Sequence, residues 1–341
     1  TMALGFYESN INGRRVIFHG GDTQWFHSDL HLFTGEGVGL FISVNSAGKE
    51  GVTGPLRSQL FTLFATRYFP ASDTAPPAPG IDAETAAEHA RLMASQKYES
   101  TRRPGSSSFV NLLGFSQTSF DIHEDGTISS SSLNAANGQP IRWRVVAPWV
   151  CQDLASGERL AAVVDADGRI QHWSVGAYAA IMQFEPVPAS RSASWLTPLL
   201  LVSLLSLALS ALFWPIAAIV RRKYGQRLEW PQRDLRVRRY ARLAATLVVV
   251  VWIGWISLLM FVMGDLSRFT DGIDKWVLLL SALGVLTATL GTAAIAWHAW
   301  LSWTARKGWL SRLWNAWLVI AALVCVYAAA MFGLLSFANQ Y

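Results

Sequence analysis

Cysteine is scarce in this sequence: only Cys151, in a polar stretch, and Cys325, inside an apolar run, occur among 341 residues. A disulfide framework is therefore not expected. Also missing are a Cys-x-x-Cys pair, a Walker loop, a dinucleotide-binding glycine fingerprint and acid pairs at the spacing used for glycoside hydrolysis. No cofactor and no resident metal are predicted. The first residues, Thr1 to Gly5, lead straight into strand-like sequence without a charged region, apolar core or cleavage site. An exported first domain needs such a signal, so the expectation is that the natural start lies upstream. Carboxylates and lysines are absent from the middle of each long apolar run, which argues against an ion or proton pathway.

The formal net charge of +5 raises nucleic acid as a partner, but the distribution of charge argues against it. Nine Lys or Arg lie between Arg221 and Arg242 against two acids, Glu229 and Asp234, and this cluster sits between two long apolar stretches. The pattern is juxtamembrane, and membrane lipid is the expected partner. Four runs of about 20 residues or more are long enough to cross the hydrocarbon core. They are Trp195 to Val220, Leu243 to Met263, Trp276 to Trp297 and Trp314 to Phe337. Tryptophans stand at their borders, among them Trp195, Trp276, Trp297, Trp300, Trp303, Trp309 and Trp314, as interfacial anchors do. The first connecting loop holds the basic cluster and the third holds Arg306, Lys307 and Arg312. The second holds Asp265, Asp271 and Asp274. By the positive-inside rule the basic loops are cytoplasmic and both termini lie outside a cytoplasmic membrane. Gly284, Ala288, Thr292 and Ala296 make a small-residue stripe that suits helix packing. His298 reads as an interfacial histidine among tryptophans.

The polar half has the period and turn chemistry of antiparallel sheets. Strands are predicted around Asn12-Gly13 and around Gly35-Glu36-Gly37, followed by a helix from Pro55 with Leu56, Leu60, Leu63, Phe64 and Arg67 giving a helical period. Pro70, Pro76, Pro77 and Pro79 mark a linker, and Asp82 caps a short helix to Met93. From Tyr98 to Glu185, turns at Glu124-Asp125-Gly126, Asn137-Gly138, Ser156-Gly157 and Asp167-Gly168 predict a small antiparallel barrel or sandwich, with Trp143, Trp149, Trp173 and Tyr178 filling its core. The fold class is thus an α+β multidomain membrane protein: residues 1–70, a linker and helix at 71–93, an all-β domain at 94–188, and four transmembrane helices at 195–338.

The runs Gly5-Phe6-Tyr7, His19-Gly20-Gly21-Asp22-Thr23, Phe26-His27-Ser28 and Gly37 through Ser46 together resemble the C-terminal strands of serine hydrolases of the class C beta-lactamase and penicillin-binding protein family. The resemblance covers about Thr1 to Pro70. It implies that His19, Gly20 and Gly21 occupy the family's His-x-Gly triplet on a strand beside the nucleophile. There His19 would hold the substrate or support proton transfer, Gly21 would admit the substrate backbone, and Asp22 would offer its N–H to the oxyanion hole. The layout of a small β domain and a multi-helix tail is similar to the longer membrane-bound members.

The family also needs a Ser-x-x-Lys at a helix start and a Tyr-x-Asn or Tyr-x-Ser upstream of the triplet. Neither precedes His19 here in that context. Ser46 and Lys49 have the first spacing, and Tyr7-Glu8-Ser9 and Tyr98-Glu99-Ser100 the second. But Ser46 ends a strand before a glycine turn, Tyr7 lies in a strand and Tyr98 lies beyond the linker. A rival site is His27, Asp29 and His31, which alternate along one strand; two histidines and a carboxylate suit zinc, whereas the simpler reading is a polar outer face over an apolar core of Phe26, Ser28, Leu30 and Leu32. The expectation is the C-terminal part of an extracytoplasmic, membrane-anchored hydrolase with an acyl-enzyme mechanism and a peptide, ester or beta-lactam substrate, inactive without its upstream serine. The alternative is a non-enzymatic membrane module whose β domain binds a peptide, lipid or protein. The sequence does not specify an oligomeric state.

Overall fold

A computed structural model describes residues 2–23, 25–49, 52–70, 80–103, 105, 108–114, 117–135, 138–155, 157–176, 179, 181–226, 230–305 and 308–337. The linker prolines Pro76, Pro77 and Pro79, the turn residues Asn137 and Ser156, Tyr178, Glu229, Arg306 and Lys307 lie outside them. The protein is α+β, with antiparallel sheets and four helices long and apolar enough to cross a membrane. It divides into two compact units, one of residues 1–102 and 116–187, the other of residues 103–115 and 188–341.

The first unit contains two sheets. Strands β1 (Met2–Ala3), β2 (Phe6–Ile11), β3 (Arg14–Asp22), β4 (His27–Phe33) and β5 (Val38–Val44) form a meander in chain order, followed by helix α1 (Thr53–Tyr68). The β2–β3 hairpin turns at Asn12 and Gly13, both with positive φ (53° and 82°), the geometry that makes Asn-Gly a tight-turn pair. One face of this sheet is closed by α1 around Val16, Phe33, Phe61 and Ala65. The buried side of the helix is Thr53, Arg57, Phe61 and Ala65. Leu56, Leu60 and Leu63 of that period lie on the outer side, and Leu63 is 60% exposed. On the packed side Phe61 and Ala65 meet Val16 and Phe33 of the sheet, and Arg57 meets the carboxylates of Asp22 and Asp29.

Helix α2 (Ala83–Ala94) starts where its cap predicts, with Asp82 accepting from the Thr85 N–H at 2.8 Å. Then come β6 (Tyr98–Ser100), β7 (Gln117–Thr118), β8 (Asp121–Ile122), β9 (Ile128–Ser129), β10 (Trp143–Ala147), β11 (Val150–Asp153), β12 (Arg159–Val164), β13 (Ile170–Val175) and β14 (Phe184–Pro186). They pair in the order β7-β6-β14-β13-β12-β11-β10-β9-β8. Its two edge strands are consecutive in the chain, separated only by Ser119 and Phe120, so the sheet has to curl into a half-barrel. Side chains bridge toward closure: Thr118 Oγ1 lies 2.6 Å from the hydroxyls of both Ser130 and Ser132. Trp143 and Trp173 are fully buried in this core. Trp149 packs at its margin in a positive-φ turn, with its ring stacked on His89 at 4.0 Å.

In the second unit, α3 (Ala193–Lys223) and α4 (Gln232–Met263) are followed by α5 (Asp274–Leu286), which runs through a π turn at Thr287–Gly291 into α6 (Thr292–Thr304), and then by α7 (Trp309–Met331). The four apolar helical spans are Ala189–Lys223, Gln232–Met263, Asp271–Thr304 and Trp309–Met331. The last helix stops short of the predicted Phe337 because the chain reverses at Gly333, where φ is +68°. Gly284 of the small-residue stripe permits close packing there: a Cβ on it would come within 3.2 Å of Leu335 Cδ2. Phe109 and Leu112 are buried in the helical core, Phe109 with its ring 5.6 Å from that of Trp255.

Candidate functional site on the edge of strand β3

Register fixes which side chains share a face, because directly paired residues point the same way. His19 pairs with Leu30, which pairs with Phe41, while Gly21 pairs with Ser28, which pairs with Ser43. These residues form the side of the sheet opposite α1. They contribute nothing to the buried core, and Phe41 is 64% exposed. His19 is exposed, stacked on Tyr7 at 5.2 Å and edge-on to Phe6 at 5.9 Å. Ser28 and Ser43 share a hydrogen bond of 2.9 Å beside Gly21, and a Cβ on Gly21 would meet nothing within 4 Å.

The backbone of this stretch is as informative as its side chains. Thr23 donates its N–H to the Phe26 carbonyl across the β3–β4 turn. In an antiparallel ladder hydrogen-bonded and non-bonded pairs alternate, so Asp22 and Gly20, in unshifted register with His27 and Asp29, direct their N–H and C=O groups away from β4. On that side the pairing with β2 runs only as far as Tyr7 with Phe18. Among the described residues no strand covers β3 from Gly20 to Asp22. An edge with outward N–H and C=O groups, flanked by an exposed histidine and two hydroxyls, can accept an extended backbone.

The opposite face holds His27, Asp29 and His31 under α1, not on an outer surface, which corrects the expectation of a polar exterior. Alternation defines two faces but not which one a later helix covers. Each of the three has its own environment. His27 Nδ1 lies 2.6 Å from Asp22 Oδ1. Asp29 Oδ2 lies 3.5 Å from Arg57 Nε, and burial raises its pKa above the ordinary carboxylate value. The His31 ring packs against Phe61, centroids 3.6 Å apart, and against Phe18. No cluster of three metal-ligating side chains occurs among the described residues. Arg57, which sequence reading missed, donates to Asp22 Oδ1 at 2.8 Å while its side chain is only 8% exposed. Gly20 leaves room for the Asp29 carboxylate: a Cβ on it would come 2.8 Å from Asp29 Oδ1 and the side chain would have to shift.

The stray motifs do not gather at this edge as a catalytic set. The Ser46 hydroxyl accepts from the Gly48 N–H in a turn where Gly48 has a φ of +71°. Tyr7 belongs to β2. Tyr98 is fully buried in the second sheet, donates to the Met93 carbonyl at 3.0 Å, and has its pKa pushed up to about 12 by burial.

Burial lowers the pKa of His31 from 6.5 to about 4. Between those values the unfolded chain binds a proton that the folded chain refuses. The stability held by neutral His31 is therefore complete above about pH 6.5 and is lost as the pH falls toward 4. Asp29, with its raised pKa, acts in the opposite sense, its contribution declining as pH rises past the ordinary carboxylate value. Hydrogen exchange of the β4 amides should show protection falling with acid, with a slope steeper by about one proton than in His31→Leu. Identical slopes would remove His31 as the cause.

No protein-family model and no curated protein matches the chain. Among solved structures, the crystal structure of SurE with D-Leu aligns with a TM-score of 0.29 and 13% identity, over 54% of this chain and 38% of that one. The chain thus spans well under half the length of that protein. A similarity this low bears on neither fold nor function.

Proposed function

We propose that this chain carries the substrate-binding strand of a membrane-anchored serine hydrolase of the beta-lactamase and penicillin-binding-protein type. Its nucleophilic serine lies outside residues 1–341. The observation that supports this reading is the uncovered edge of β3 with His19 beside it. A peptide, ester or beta-lactam substrate lays its carbonyl and amide along Gly20 to Asp22, and the outward Asp22 N–H meets the oxyanion that forms on attack. His19 donates to the substrate or carries a proton, and Gly21 leaves room for the substrate backbone. The exposed side formed by His19, Leu30 and Phe41 is where the nucleophile-bearing part of the enzyme would pack. The helices anchor the enzyme with its basic loops in the cytoplasm and both sheets outside the cytoplasmic membrane.

One experiment tests both chemistry and side. A membrane-impermeant fluorescent penicillin, applied to intact cells, should label the full-length protein covalently and leave this chain alone unlabelled. Label on this chain that disappears with Ser46→Ala, or label on the full-length protein only after the cells are opened, would overturn the reading.

A further inference from the structure

At one end of the helical unit, cationic side chains converge from several helices. Arg221 ends α3, and Arg238 and Arg242, four residues apart on α4, lie on one side of it. All three are partly buried, and Arg242 lies close enough to Arg238 and Arg221 for their charges to repel. Tryptophans fix the direction of two: the Arg238 guanidinium lies 4.6 Å over the ring of Trp230, and that of Arg242 lies 5.8 Å over Trp214 of α3. His298 of α6 lies near Arg238 and Arg242, beside the buried Asn315 of α7. The acid facing this group is Asp234, which is near His298. No carboxylate among the described residues lies within ion-pair distance of the three arginines.

Three half-buried guanidiniums held together repel one another and have lost part of their hydration, a cost that a bound anion offsets. The guanidinium fork matches the oxygens of a phosphate. We propose that Arg221, Arg238 and Arg242 form a binding site for the phosphate of an anionic phospholipid at the basic end of the helical bundle. The apolar sides of α3 and α4 continue from the site, Ile219 and Leu243 being 68% and 53% exposed, so acyl chains have surface to lie on while the phosphate meets the arginines. The inference rests on the helices crossing a membrane and is independent of the hydrolase reading.

The test uses the whole chain in detergent micelles titrated with phosphatidylglycerol, phosphatidylcholine or inorganic phosphate. Bound lipid is read by native mass spectrometry and stability by the melting midpoint. Phosphatidylglycerol should be retained and should raise the midpoint, whereas phosphatidylcholine should do neither. A guanidinium that hydrogen-bonds the phosphate strengthens binding about tenfold, so R238Q/R242Q should bind about 100-fold more weakly. R236Q/R239Q removes the same charge from exposed positions on the same helix, where it attracts the lipid only through screened solvent, and should bind at least about tenfold more tightly than R238Q/R242Q. The single variant Arg242→Lys, which keeps the charge and loses the fork, should bind more weakly with its midpoint in phosphatidylcholine unchanged. Equal loss in R238Q/R242Q and R236Q/R239Q, or equal retention of phosphatidylcholine, would overturn the site. Displacement of the lipid by inorganic phosphate at equal concentration would overturn the lipid as its occupant.

Discussion

Under the proposed hydrolase reading, His19→Ala in the full-length protein is expected to lower turnover by about 100-fold, the usual contribution of a positioned acid–base or oxyanion group. His19 projects from the side of the sheet that α1 leaves open, one residue before the stretch of β3 whose backbone groups point outward. In that reading the histidine and the open edge meet the same ligand. If His19 acts mainly in the transition state, kcat and kcat/KM fall together; if it only holds substrate, KM rises and kcat stays. His27→Ala and His31→Ala change side chains on the opposite side, under α1, and should alter turnover little while lowering stability. Steady-state hydrolysis of a chromogenic ester or beta-lactam separates these outcomes. An unchanged rate in His19→Ala, or activity lost both to a chelator and to His27→Ala, would replace the hydrolase site with a metal site.

Local signals in the sequence located most elements. Asn12-Gly13 forms its turn, the strand Val38–Val44 follows the predicted Gly35-Glu36-Gly37 turn, Asp82 caps its helix, and each of the four apolar runs falls on one of four helical spans, the last ending at Met331 before the predicted Phe337. These features depend on a few neighbouring residues, so a linear reading finds them. What stayed hidden was long-range. Leu56, Leu60 and Leu63 look like a buried helix side because leucine is usually inside. The side that packs meets Val16 and Phe33, far earlier in the chain, through Phe61 and Ala65, with Arg57 reaching Asp22 and Asp29 beside them. The same error reversed β4, where His27, Asp29 and His31 looked solvent-facing because they are polar. The outward direction of the Gly20 and Asp22 backbone was equally hidden, since it follows from the register of two hairpins. The positions His19, Gly21 and Asp22 came from resemblance, whereas the uncovered edge beside them came from pairing alone.

Replacing Arg57 should be the most destabilising change at the β3–β4 end of the sheet. Its Nη2 donates to Asp22, its Nε faces Asp29, and its Nη1 is buried without a hydrogen-bond partner among the described residues. Arg57→Met keeps most of the packing and deletes the charge, leaving Asp29, 21% exposed, without its counter-charge. Breaking a buried pair from one side costs about 3 kcal/mol, because the remaining ion keeps its desolvation penalty. Asp29, already raised by burial and held down by Arg57, should titrate at still higher pH in the variant. Asp29→Asn added to Arg57→Met should recover much of the loss, since it removes the stranded charge, whereas Asp29→Asn alone leaves Arg57 its contact with Asp22. The measurement is hydrogen exchange of the β3 and β4 amides in the parent, the two single variants and the double variant. Non-additivity of about 1 kcal/mol or more supports the coupling, and strictly additive losses would show that Arg57 and Asp29 are not coupled. The cycle also bears on the site, because Arg57 and His27 both hold the Asp22 side chain under α1. Each partner alone still holds that side chain, so Arg57→Met, like His27→Ala, should leave turnover little changed at a temperature where the sheet remains protected.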